Sequence, residues 1–92
     1  MTTNIYILTV TAYLATGHPT ATGHKPKLGY TCAATRDIPI GARVNIPGFG
    51  VRIIDDRMSK RYRNGRLDVF VASKREAIKW GKREVKVEVV TK

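Results

Sequence analysis

Acidic side chains and cysteines are scarce in this chain. Seventeen Lys and Arg stand against seven Asp and Glu over 92 residues, a formal net charge of +10 at pH 7. The single cysteine, Cys32, excludes an intramolecular disulfide and leaves too few thiolates for the usual structural zinc ligand set. Stability must come from packing. The apolar stretch Ile5–Leu14 is interrupted by threonines and tyrosines and falls short of the roughly 20 residues that a membrane helix needs, so no stable membrane insertion is expected. The first residues lack the basic n-region of a secretory signal, which predicts cytosolic synthesis without Sec export. No internal repeat, linker or low-complexity segment interrupts the chain, so residues 1–92 read as one domain with one modest core.

A surplus of positive charge on so small a domain attracts polyanions at long range, but its sign does not choose between nucleic acid, anionic lipid and an anionic wall polymer. Two basic concentrations stand out: Arg57, Lys60, Arg61, Arg63 and Arg66, then Lys74, Arg75, Lys79, Lys82 and Arg83. Each reads equally well as a solvated face or as a docking surface. Against this background the carboxylates Asp55, Asp56 and Asp68, close together in the sequence, call for an explanation.

Periodicity predicts a mainly β domain. Tyr6, Leu8, Val10 and Ala12 alternate with Ile5, Ile7, Thr9 and Thr11, the pattern of a strand with one buried and one mixed face. Further β-type runs occupy 42–46, 51–54, 67–71 and 85–90, the last with Val85, Val87 and Val89 on one side against Lys86 and Glu88. Pro47-Gly48-Phe49-Gly50 predicts a hairpin turn. One short helix is expected where Ser73-Lys74-Arg75-Glu76 forms a capping-box pattern and Gly81 stops the run, with Ile78 and Trp80 packing it on the sheet. Several short strands in so small a domain favour a closed or nearly closed barrel, because closure removes edge strands.

The residues themselves resemble a family. Val10-Thr11-Ala12-Tyr13, Thr20-Ala21-Thr22-Gly23, Gly29-Tyr30-Thr31-Cys32-Ala33, Ile38-Pro39-Ile40-Gly41, Ile46-Pro47-Gly48-Phe49-Gly50, Asp55-Asp56, Gly65-Arg66-Leu67-Asp68-Val69-Phe70 and Glu76-Ala77-Ile78-Lys79-Trp80-Gly81 follow one another as in 3D domains, named for three aspartates. These are the catalytic modules of MltA-type lytic transglycosylases and of stationary-phase, resuscitation-factor-like muralytic proteins. The resemblance implies a six-stranded double-psi β-barrel with one short helix and a sugar-binding groove. It also implies non-hydrolytic cleavage of the glycan between N-acetylmuramic acid and N-acetylglucosamine, leaving a 1,6-anhydro-muramyl end.

By position, the family's second aspartate falls on Asp56 and its third, the acid/base, on Asp68. Ala34 occupies the place of the first, with Asp37 three residues on as the candidate to replace it. The segment after Asp56, Arg57-Met58-Ser59-Lys60-Arg61-Tyr62-Arg63-Asn64, departs from the family's Thr-Gly-Gly-Ala form. Tyr13, Thr22, Gly23 and Arg66 are the expected substrate-binding residues. No metal or organic cofactor is called for by this chemistry.

Why carboxylates are wanted follows from the leaving group. A glycosidic oxygen leaves poorly until protonated, so one carboxyl must begin as an acid. In a lytic transglycosylase the attacking group is the C6 hydroxyl of the same sugar, so Asp68 alone can give a proton and then take one. That needs a pKa well above about 3.9. An ionised Asp56 and burial would raise it, while Arg66, on the same strand face, would lower it. The plain alternative is that Asp56 and Asp68 are ion-pair or turn carboxylates. Asp55 reads as a strand-end ion-pair partner or a ligand of turn amides.

Other constellations are weaker. Cys32 with His24 lacks any nucleophile-and-base signature, and a lone Cys on a β-run is usually packing. His18 and His24 read either as groove residues or as solvated loop residues, and Tyr30 and Trp80 as core aromatics. The combination of charge, module size and absent signal suggests a phage-type lysis enzyme acting as a monomer. It would work on peptidoglycan strands near an anionic wall or outer-membrane surface, reached by lysis, a pore or virion delivery. The competing expectation is a non-catalytic basic barrel that binds peptidoglycan or nucleic acid.

Overall fold

The computed structural model describes residues 1–91. Among them six strands and one helix follow in the order β1 (Thr2–Tyr13), β2 (Thr31–Ala34), β3 (Arg43–Ile46), β4 (Gly50–Arg57), β5 (Arg66–Phe70), α1 (Lys74–Trp80) and β6 (Arg83–Thr91). The strands close into a mixed barrel in the spatial order β1-β5-β2-β4-β3-β6. Pairs β1/β5 and β2/β4 are parallel and the remaining four are antiparallel. The expected closed, mainly β barrel with one short helix is what the chain forms.

Alternation builds the interior. Leu8 and Val10 of β1, Val44 and Ile46 of β3, Ile54 of β4, Leu67 and Val69 of β5, and Val87 and Val89 of β6 all turn inward and are buried. Most are β-branched, which suits a pleated surface packed on one side. Strand β2 has no alternation, because Thr31, Cys32, Ala33 and Ala34 are all buried. Small residues allow it to lie covered on both faces. The Cys32 thiol belongs to this core and burial pushes its pKa up, so it is an inert packing group.

Strand β1 runs past the barrel. Thr2–Val10 pairs with β6, whereas pairing with β5 begins only at Thr9. Tyr6, which alternation places on the buried face, is therefore 47% exposed, and Ile5 and Ile7 are more so. The predicted hairpin at 47–50 forms, with Ile46 opposite Gly50.

In α1 the Ser73 hydroxyl accepts from the Glu76 N–H at 3.2 Å, and the Gly81 N–H closes the other end on Ala77 O at 3.0 Å. The packing face differs from expectation. Ile78 is 69% exposed, while Ala77 and Trp80 meet the core. Positions three apart share a helix face, and residue 78 lies about 100° around from residue 77. Trp80 fixes the choice, because its indole N–H donates to Val10 O at 2.9 Å and its ring packs on Phe49 with centroids 4.4 Å apart.

Gly48 makes room for that indole. Its φ is +96°, and a Cβ there would come within 2.7 Å of Trp80 Cζ3. Gly48→Ala is therefore expected to cost about 2 kcal/mol, combining the left-handed backbone penalty with displacement of the ring. Thermal unfolding followed by circular dichroism tests this. An unchanged melting temperature would show that the ring moves aside freely.

Candidate active site

Register assembles the site. Thr11 on β1 is opposite Asp68 on β5, Asp68 is opposite Ala33 on β2, and Ala33 is opposite Asp56 on β4. Laterally paired residues project from the same face of a sheet, so these four side chains form one row across the barrel's outer wall. Ala33, which stands between the two carboxylates in this register, is buried and adds neither charge nor a polar group between them. A β-bulge between Cys32 and Ala33 brings Asp56 rather than Asp55 into the row.

Asp56 is held by three donors. Its Oδ1 accepts from the N–H groups of Ala21 at 2.9 Å and Arg57 at 2.8 Å, and its Oδ2 from the Tyr13 hydroxyl at 3.4 Å. Asp68 Oδ1 accepts from the Thr11 hydroxyl at 2.9 Å. Burial raises the Asp68 pKa, the Thr11 hydrogen bond opposes that rise, and the charge of Asp56 adds to it. Arg66 is not among the groups that shift Asp68, contrary to the expectation from sequence. Its guanidinium lies over the Tyr62 ring, 4.6 Å from the centroid. Burial, then Asp56 and Asp68, push the Tyr13 phenol up, so Tyr13 is a protonated donor at neutral pH.

The turn carrying Thr22 and Gly23 closes on itself and docks beside Asp56. Thr20 N–H donates to His24 O at 2.7 Å, Gly23 N–H to Thr20 O at 2.9 Å, and Thr22 N–H to Asp55 O at 3.3 Å. Gly23 takes a φ of +89° in this turn. The Thr20 and Thr22 hydroxyls share a hydrogen bond of 2.9 Å. Next to the turn opens a cavity of about 370 Å³ lined by Gly17, His18, Pro19, Gly23, Lys25 and Phe70. Phe70 also packs on Tyr13, with centroids 5.6 Å apart, and so joins the cavity to the carboxylate row.

Of the residues expected from sequence, the structure brings Asp56, Asp68, Tyr13, Thr22 and Gly23 together and turns Arg66 aside toward Tyr62. Three expectations change. Asp55 is buried and, among the described residues, forms neither an ion pair nor a turn-amide cradle. Its Oδ2 accepts from the Thr31 hydroxyl at 3.3 Å and its Oδ1 has no partner, so burial raises its pKa. Tyr30 is 44% exposed and lies outside the core, with the Lys27 ammonium 5.8 Å from its ring centroid. Asp37 does not join the row, because its oxygens accept from the Thr35 hydroxyl at 2.6 Å and the Gly65 N–H at 3.1 Å.

Ala34, at the place of the family's first aspartate, points into the core beside Leu67 on the face opposite Asp68. Sequence reasoning did not single out Thr11, Ala33 or Phe70 as site residues. Thr11 was legible as the aliphatic hydroxyl of the Val10–Tyr13 motif, but Ala33 carries no chemistry that would mark it.

The chain aligns over 97% of its length with a Bacillus subtilis (strain 168) protein named "Putative cell wall shaping protein YabE", at 31% identity. It is a distant homologue of one part of YabE. It spans about a quarter of that protein, 24% of its length. No family model matches the chain. Among the described residues no helix is long and apolar enough to cross a membrane.

Proposed function

We propose that this domain is a peptidoglycan lytic transglycosylase of the 3D-domain kind, with Asp68 as acid/base. The observation that carries the reading is the Thr11–Asp68–Ala33–Asp56 row, in which one carboxyl is driven toward its protonated form beside a second that keeps three donors. The ordered motifs that resemble 3D domains support it. So does the homology to YabE, whose cell-wall description this reading narrows to glycan cleavage.

The step balances on one residue. Protonated Asp68 gives its proton to the glycosidic oxygen as the bond from muramic acid C1 to that oxygen breaks, and the oxygen leaves as the C4 hydroxyl of N-acetylglucosamine. Positive charge then develops at C1. The fixed negative charge of Asp56 stabilises it across the row, and the Tyr13 hydroxyl and the Ala21 N–H hold that carboxylate in place. The C6 hydroxyl attacks C1, its proton passes to the Asp68 carboxylate, and the 1,6-anhydro ring closes with the acid regenerated. Thr22 and Gly23 present turn backbone and hydroxyl to the sugar from the Asp56 side.

Incubating the purified protein with sacculi and analysing the released muropeptides by mass spectrometry tests this. Anhydro-muramyl ends are expected. Reducing ends would mean hydrolysis, and no release where a muramidase succeeds would favour a binding module.

Thr11 sets a second test. Its hydroxyl stabilises the Asp68 carboxylate, so Thr11→Val removes the influence that lowers the Asp68 pKa. The acid must be protonated to act, and its titration forms the alkaline limb of kcat/KM against pH. That limb is expected to move to higher pH in Thr11→Val. A shift to lower pH, or none, would mean that the limb belongs to another group.

A further inference from the structure

The geometry points to a subsite for the carboxylates of the glycan's peptide substituents in the turn between β4 and β5, built from Tyr62, Arg61, Arg63 and Arg66. This rests on the proposed glycan-cleaving function and names a part of the substrate that the carboxylate row does not touch.

The turn is ordered from its base. Met58 N–H donates to Ala34 O at 3.1 Å, Tyr62 N–H to Ser59 O at 3.0 Å, and Thr9 N–H to Gly65 O at 2.9 Å. Its basic residues divide into two groups. Arg57 donates to the carbonyls of Thr35 at 3.0 Å and Ile38 at 2.6 Å, and Arg36 to Met58 O at 3.2 Å, so both hold the backbone. Arg61 and Arg66 instead lie over the half-buried Tyr62 ring, with guanidinium carbons 5.5 and 4.6 Å from its centroid. Arg63 is exposed between them in the sequence. Asp37, at the base of the turn, has both oxygens engaged by Thr35 and Gly65.

A guanidinium held over a ring by its charge keeps its N–H donors for a carboxylate, which it can take through two parallel hydrogen bonds. Holding the arginine on a ring also lowers the entropy lost when the anion arrives. Position decides which anion. Arg66 and Asp68 project from the same face of β5 two residues apart, about 7 Å along the strand. An anion bound at Arg66 is therefore attached to the sugar at the scissile bond or to its neighbour. On a peptidoglycan strand the substituent within that reach is the peptide on muramic acid, which ends in carboxylates. A nucleic acid needs no such proximity to the row.

The test compares glycan strands bearing peptides with the same strands stripped by an amidase, scoring anhydro ends. Wild type is expected to favour the peptide-bearing strand about tenfold or more, less so as salt rises, and Arg61→Ala/Arg63→Ala to bring that ratio toward one. Equal turnover of both strands by wild type, or a ratio unchanged in the double variant, would overturn the subsite. A second readout separates it from the cleavage reading. The Asp68→Asn protein is titrated with a soluble disaccharide-peptide and with the bare disaccharide, followed by NMR. Preferential binding of the peptide form, lost with Arg61→Ala/Arg63→Ala, supports the subsite even if no strand is cleaved. Equal binding of the two, or tighter binding of duplex DNA than of the disaccharide-peptide, overturns it.

Discussion

Asp68→Asn is expected to release no detectable anhydro-muramyl products from sacculi, a loss of at least about 10³-fold, while the protein melts no lower than the parent. The loss is large because in the proposed reaction one carboxyl serves both half-reactions, and a single general acid or base is worth about 10² to 10⁴. The amide keeps the shape and accepts from Thr11, but it has no proton to give.

The stability follows from the sign of the pKa shift. A carboxyl whose pKa is higher in the folded state binds more protons there than when unfolded, so stability falls as pH rises from the unfolded pKa, about 3.9, through the folded one. Asparagine lacks this penalty. The melting temperature of Asp68→Asn should therefore gain on the parent as pH rises across that window and then level off above it. Retained cleavage in the variant would remove Asp68 from the chemistry, whatever the melting curves show.

The second large effect is structural. Trp80→Ala should cost about 3 kcal/mol and lower the melting temperature by about 15 to 20 °C in a domain of this size. The indole is the chief anchor of α1. It donates to Val10 O at 2.9 Å, packs on Phe49, and carries the Arg83 guanidinium 4.2 Å from its ring centroid. Seven helical residues with none fully buried have little else to hold them. Trp80→Phe keeps the ring contact and loses the hydrogen bond, so it should cost only about 1 kcal/mol. If both variants melt within about 3 °C of the parent, α1 contributes nothing to the barrel's stability.

What was legible in the sequence was mostly what alternates or turns. Val85, Val87 and Val89 against Lys86 and Glu88 gave β6 its faces, and Pro47-Gly48-Phe49-Gly50 gave the hairpin. Strand β2 was visible only through the family resemblance, because four covered small residues have no period to read. Ile78 misled because apolar character says nothing about which helix face meets the sheet, and the tether from Trp80 to Val10 joins residues 70 positions apart.

The same holds for the site. Asp56 and Asp68 were found by motif, but the row that joins them depends on a bulge in β2/β4 that displaces Asp55. Arg66 was expected to pull on Asp68 because residues two apart share a strand face. Nothing local reveals that Tyr62, outside the strand, captures the guanidinium.

The pairing of the first strand with the last governs how this domain can be handled. Thr2 lies opposite Thr91, so both ends of the described chain leave the barrel side by side. Thr11, which begins the carboxylate row, is nine residues further along β1, roughly 30 Å away at the rise of an extended strand. The longest extent of the described chain is 33 Å. A tether, label or fused neighbour placed at either of these ends therefore attaches at the far end of the molecule from the row, and a surface coated through either end would present the row outward.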